Sequence, residues 1–381
     1  MHESNRGPES LVPDPPVPGV ADIAFGLPPA PDPEIAARHA SVLRGLRRWF
    51  ILIALLGVLA LIANMVELTL FIALATVFVA AGAADRDERF VTLSRVMSGL
   101  MVAGAAASFG FLGYYLANAP SVSWPGVGVA LAAVGAVASL VTALPSAGHV
   151  LATWFFRTHA TSHTSRLAAR LVLMVLLFTV PGWLAMPPLL RSLERAAQPL
   201  LEPSSTVSTL LGMVVLAFGA VGFWIRRDAP ATLDRLGLEP LRLSHVVVAI
   251  AGVAALFVLN MGTEQLQHRW FPDQWAHDQR INDMLAGGIT MSATILVGVG
   301  AGIGEELTMR GALQPRLGLV LTSLLFAALH VHYSWFGMAM IFVLGLALGA
   351  IRKWTSTTVS ILVHTIYDIA AVLAAVGVPK H

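Results

Sequence analysis

The stretch from Trp49 to Ala83 is 35 residues long and carries a single charged side chain, Glu67. A helix needs roughly 20 residues to cross the hydrocarbon core of a bilayer, and lipid admits only structures that satisfy their own backbone hydrogen bonds. The run is therefore either one very long helix or two spans joined by a tight turn. Glu67, with Asn64 nearby, marks the tip of the second arrangement. Further apolar runs lie near 96–118, 126–150, 171–190, 207–225, 245–262, 289–316, 319–333, 337–351 and 356–378. The expected fold class is all-α, a polytopic integral membrane bundle of about ten or eleven spans.

Composition agrees, with 56% hydrophobic and 12% charged residues, about half the charged share of a soluble domain. The absence of cysteine removes disulfides, thiolate metal sites and cysteine nucleophiles. A formal charge of +2, spread over many apolar segments, offers no basic patch for nucleic acid.

The first 33 residues hold nine of the 22 prolines and no periodic apolar pattern, so a solvated, disordered tail is expected. "MHESNRGPESLVPDPP" lacks the basic start and following apolar run of a secretory signal. "PDPEIAARHASVLRGLRRW" then reads as a helix start, with Asp32 as cap, Pro33 in the first turn and Arg44, Arg47 and Arg48 at the membrane surface. A hairpin with a cytoplasmic tail puts 19 of the 24 basic residues inside, whereas one long first helix with an outer tail puts only 14 there. The positive-inside rule favours the hairpin, and hence a multi-pass protein of the cell membrane with a cytoplasmic N-terminus. Residues 1–45 form the tail and a surface helix, 46–240 accessory spans, and 241–381 a core that carries the chemistry.

Three short patterns place polar groups in the last apolar runs: "EELTMR" at 305–310, "FAALH" at 326–330 and "HTIYD" at 364–368. Ionisable groups in lipid are costly and face a cavity or a partner. "PRLGLV" reads as an inner-face turn at Gly318, with Glu305 thirteen residues before it and His330 twelve after it, and His364 follows Lys353 by eleven. At 1.5 Å per residue the three reach similar depth, roughly 16 to 20 Å from the inner surface, with Asp368 one turn beyond. Glu306 and Arg310 are spaced i, i+4 as an ion pair with the acid first. Glu305 points about 100° away, free to face His330 and His364. The glycines at 298, 300, 302 and 304 let a neighbouring helix approach closely. Their spacing misses GxGxxG and no lysine follows, which excludes a phosphate loop. A carboxylate and an imidazole flanking one water suit general-base hydrolysis of an amide, with His364 and its neighbour stabilising the oxyanion.

These residues resemble the CAAX protease and bacteriocin-processing family, which includes the Ras-converting CAAX endopeptidases. Its EExxxR pattern is matched by Glu305, Glu306 and Arg310, its FxxxH by Phe326 and His330, and its HxxxN-type motif by His364 and Asp368. The resemblance covers roughly 285–375. It implies an intramembrane glutamic endopeptidase in which Glu305 and His330 activate water while His364 and the last motif residue form the oxyanion hole, acting on a membrane-associated peptide or protein. The departure is Asp368, where the eukaryotic branch commonly has an amide. An ionised aspartate accepts hydrogen bonds and cannot donate one to an oxyanion, so it serves either protonated or by fixing the tautomer of His364.

Other protease chemistries lack their residues: there is no HExxH, no GxSG and no GxGD, and the only lysines are Lys353 and Lys380. Two further readings use the same side chains. Glu305, His330, His364 and Asp368 offer ligands that zinc accepts, although no cofactor is required. Protonatable groups at mid-membrane also serve transporters, and some family members act in bacteriocin immunity; no internal repeat supports transport. Among the remaining candidates, Phe326 reads as core packing, His332 as a surface histidine on the far side of its helix from His330, and His149, His159, His163 and His245 as loop-end residues. "TEQLQHRWFPDQWAHDQRINDM" reads as an outer-interface loop, and Gly345 with Gly349 as internal packing.

Overall fold

The computed structural model describes residues 32–120, 122–156, 162–195, 202–286 and 289–377. The expected tail, His159 and Lys380 lie outside them. Arg38–His381 is one compact unit, and it contains no strand among the described residues.

The first helix, α1 (Pro33–Ile62), begins where the sequence indicated, Asp32 accepting from the backbone N–H of Glu34. It ends at a turn in which Asn64 takes φ +52°, a left-handed conformation that asparagine tolerates better than most residues. Helix α2 (Val66–Ala84) then runs back, so the 35-residue run is a hairpin with Glu67 in the first turn of its second arm. Helix α2 is buried on most of its circumference, as expected of an element inside a bundle rather than at its margin.

After a 3-10 turn (Glu88–Phe90) come α3 (Val91–Asn118), α4 (Pro125–Val141) and α5 (Pro145–Phe156). The run expected as one span at 126–150 is broken here, α5 turning 106° from α4. Pro145 removes a backbone donor at the break, which favours a new helix start over continuation. His149 consequently lies inside α5 rather than at a loop end. Next are α6 (His163–Arg195), which accommodates Pro181, Pro187 and Pro188, then α7 (Pro203–Val221), α8 (Ala229–Leu236), α9 (Leu243–Trp270) and α10 (Pro272–Ala286). The segment read as an outer loop is thus helical, the end of α9 and most of α10, broken at Phe271.

The C-terminal elements are α11 (Met291–Glu306), a π-helical stretch (Leu307–Leu313), α12 (Gln314–Leu317), α13 (Leu319–Ala328), α14 (Trp335–Trp354) and α15 (Thr357–Gly377). Among the described residues, eight helices are long and apolar enough to cross a membrane, or nine if α4 and α5 form one broken span. The bundle is the expected one, but one expected span is a shorter element. The run at 289–316 is continuously helical through α11, the π-helical stretch and α12, whereas that at 319–333 supplies only the ten residues of α13.

Glycine sets the spacing around α11. A Cβ on Gly302 would lie 2.1 Å from Thr365 Oγ1 and 2.8 Å from the Thr365 backbone nitrogen. On the other side, a Cβ on Gly304 would lie 2.9 Å from Met213 Sδ, and one on Gly300 2.9 Å from Thr206 Cγ2. Gly298 and Gly302 therefore admit α15 while Gly300 and Gly304 admit α7, the close approach that small residues allow. Gly349 likewise meets Leu319 and Gln314. Helix α11 is held between two neighbours, and its last residue, Glu306, is fixed in depth and direction.

Candidate active site

Glu306 is fully buried, which for a carboxylate requires partners on both oxygens. Oε1 lies 3.1 Å from His364 Nδ1. Oε2 accepts a short hydrogen bond from Ser360 and lies 3.4 Å from Arg310 Nε. The first and third motifs are thereby joined across α11 and α15. The sequence reading gave Glu306 the task of neutralising Arg310 and left His364 to Glu305. The structure instead gives Glu306 both contacts, because α15 approaches α11 along the glycine face and brings Ser360 and His364, four residues apart, onto one carboxylate.

Arg310 is also fully buried. Its contact with Glu306 is at ion-pair distance without hydrogen-bond geometry, and none of its side-chain nitrogens has a hydrogen-bond partner among the described residues. The guanidinium instead lies 5.1 Å from the centre of the Phe326 ring, a cation–π contact strengthened by exclusion of water. Phe326 is more than filler: its ring also approaches those of His330, 4.9 Å away, and His364, 6.1 Å away. It is the common neighbour of all three motifs.

His364 Nε2 faces Asp368 Oδ2 at 3.4 Å, so both ring nitrogens look at carboxylates, the Glu306 contact being the tighter. His330 is half-buried, and its Nδ1 lies 2.8 Å from the Phe326 carbonyl. A carbonyl only accepts, so Nδ1 carries the proton and the Nε2 lone pair is left for another partner. Glu305 is half-buried, within electrostatic range of His364 and Asp368. Its side chain makes no hydrogen bond or ion pair with the described residues. Among the described residues no hydrogen bond or ion pair links His330 to a carboxylate; it joins the group through Phe326.

His332 departs from expectation. Helix α13 ends at Ala328, so the chain from Leu329 onward no longer follows helical periodicity, and the His332 ring comes within 5.7 Å of that of His330. It is a half-buried member of the same turn, not a surface residue. That turn is clamped by α10, which the sequence reading did not credit with any part in the site. Buried Asp278 accepts from the Ser334 backbone N–H, the Ser334 hydroxyl and the Gln267 amide, each at 2.7 Å. His277 Nε2 meets the His332 carbonyl at 3.1 Å, and Tyr333 donates to Asn282 at 3.0 Å. Ser360 was missed as well, although its place one helical turn before His364 was a usable signal.

The zinc reading gains nothing from this arrangement. Among the described residues no three imidazole or carboxylate side chains are disposed to hold a metal ion, and His364 already directs both nitrogens at carboxylates.

The fold is that of a polytopic helical membrane protein, with a buried carboxylate–imidazole cluster in its C-terminal part. Residues 287–370 match the family model described as type II CAAX prenyl endopeptidase Rce1-like. The matched segment is the one that carries the three motifs. The chain is also similar to the uncharacterised protein YpbD of Bacillus subtilis (strain 168), with 27% identity over 159 residues, covering 41% of this chain and 81% of that one. No solved structure matches it.

Proposed function

We propose that the chain is an intramembrane endopeptidase of glutamic type, cleaving a membrane-associated peptide or protein with water activated by Glu305 and His330. The observation that carries the reading is the Glu306–His364 contact at 3.1 Å, which ties the first motif to the third inside the bundle. With Glu306 committed to His364, Ser360 and Arg310, the adjacent carboxylate of Glu305 is the one left to take a proton. The His330 Nε2 lone pair is the second group able to hold the water, Nδ1 being spent on the Phe326 carbonyl. General-base assistance of this kind contributes roughly 10²- to 10⁴-fold.

His364 suits the carbonyl side of the reaction. Nδ1 is fixed by Glu306, while the Nε2 contact with Asp368, at 3.4 Å, is loose enough to exchange for a developing oxyanion. A donor aimed where charge develops is commonly the largest single contribution to such a reaction. Asp368 then orients the ring and need not donate a hydrogen bond itself, which reconciles an acid with a position where the eukaryotic branch of the family it resembles commonly has an amide.

The test is cleavage of membrane-inserted reporter peptides, with and without a C-terminal lipid, by full-length protein in proteoliposomes. Glu305→Gln is expected to lower kcat by at least about 100-fold, the lower bound for losing a general base, with the unfolding midpoint unchanged. Cleavage by Glu305→Gln at the wild-type rate would refute the assignment of the base.

A further inference from the structure

We infer that the arginine cluster formed by Arg226 and Arg227 after α7, Arg235 on α8, Arg316 on α12 and Arg352 on α14 is a binding site for a phosphate-bearing anion, presented as the headgroup of an anionic lipid in the adjoining leaflet. It is separate from the candidate active site and independent of the proposed reaction.

The cluster is assembled from chain segments distant in sequence. Asp85, following α2, accepts from the backbone N–H groups of His163 and Thr164 at the start of α6 and from the Thr164 hydroxyl. Arg226 Nη1 reaches the same carboxylate at 3.2 Å. Arg227 donates to the Val221 carbonyl. Arg235, on α8, donates to the carbonyls of Gly311 and Ala312 at 2.8 and 3.1 Å, in the π-helical stretch. Arg316, on α12, makes no hydrogen bond or ion pair with the described residues.

The charges do not balance. Burial, and then the neighbouring guanidiniums of Arg316 and Arg227, push Arg226 down to about 10 against the opposing pull of Asp85. Arg235 is likewise lowered to about 10 by burial and by Arg316, Arg227, Arg352 and Arg226. Arg226 and Arg235 thus each sit among several neighbouring guanidiniums, Arg86 included at Arg226, while the carboxylate that opposes them there, Asp85, already accepts from a helix start. Three buried donors in the group, Arg226 Nε and Nη2 and Arg352 Nε, have no acceptor among the described residues. Desolvated donors beside like charges are unfavourable until an anion completes them, and the fork geometry of arginine matches the oxygens of a phosphate.

The surroundings select a lipid as the source. Val320, Leu241, Leu243 and Trp354, close in sequence to the arginine-bearing elements, are 63, 52, 84 and 79% exposed. Exposed apolar side chains near a basic cluster at helix ends offer acyl chains a surface beside the headgroup, and exposed tryptophan is the usual interfacial anchor.

The experiment uses full-length protein in nanodiscs of phosphatidylcholine, alone or with phosphatidylglycerol, reading the thermal midpoint and the lipid retained in native mass spectrometry. Phosphatidylglycerol should raise the midpoint and be retained selectively. Arg316→Gln should weaken retention roughly fivefold, the worth of one basic residue at an anionic surface, while leaving the midpoint in pure phosphatidylcholine unchanged or higher, since it removes repulsion. Arg352→Gln, which removes an unpartnered donor at the cluster's other edge, should act in the same direction. Three results would overturn the site: the same loss from Arg269→Gln, whose guanidinium lies beside Trp270; a lower midpoint in phosphatidylcholine for both cluster variants; or full retention by both. An equal rise produced by inorganic phosphate in detergent would overturn the lipid as source.

Discussion

At the residue scale the candidate site depends on two fully buried charges that the sequence already paired by spacing. Removing one partner from a buried pair typically costs 3–5 kcal/mol, because the survivor keeps its desolvation penalty. Arg310→Met should therefore lower the unfolding free energy in detergent by about that amount, and Glu306→Gln combined with Arg310→Met should recover a large part of it. A neutral Arg310→Met would mean that Ser360 and His364 suffice for Glu306. The i, i+4 pair was legible because helical spacing is local. The contacts of Glu306 with His364 and Ser360 were not, since they depend on the rotation of α15, a helix more than fifty residues away along the chain. His332 was misread for a related reason: periodicity describes a histidine only while the helix continues, and nothing in "FAALHVHYS" announces the end at Ala328.

At the scale of elements the site is positioned by packing on one side and by a polar clamp on the other. Gly302 admits the backbone of α15 next to His364, so Gly302→Val should force the helices apart. We expect a loss of about 1–3 kcal/mol from overpacking, together with a fall in kcat larger than that for Gly57→Val, where a Cβ meets nothing within 4 Å. The clamp is Asp278, which gathers three hydrogen bonds from Ser334 and Gln267. Asp278→Ala strands buried donors at about 1–3 kcal/mol, and hydrogen exchange at the Ser334 amide should quicken while that of the α2 core stays slow. Equal protection of Ser334 in the variant would show that the turn carrying His330 and Tyr333 is held by something else. The small-residue face of α11 was readable from four glycines at alternate positions. The π-helical stretch was not: it keeps helical composition and differs only in hydrogen-bond register, a distortion often found at functional sites.

For the whole molecule, sidedness is the property most open to a direct test, since a chain without cysteine accepts single reporters cleanly. With a cytoplasmic N-terminus, Val66→Cys, exposed at the hairpin tip, should react with a membrane-impermeant maleimide added to intact cells. Glu88→Cys, exposed in the opposite connection, should react only after permeabilisation. The reverse pattern would invert the topology. Sequence alone determined that the chain is a helical membrane bundle, that its first long run folds back on itself, and which three motifs hold the ionisable groups. Each of these follows from local quantities: run length against bilayer thickness, the cost of charge in lipid, and residue spacing along a helix. Tertiary structure decided which carboxylate meets His364, that the run at 319–333 yields only a ten-residue helix, and that α10 grips the turn beyond His330. Those outcomes depend on how helices rotate and break against one another, and such contacts between distant segments leave no periodic trace in the chain.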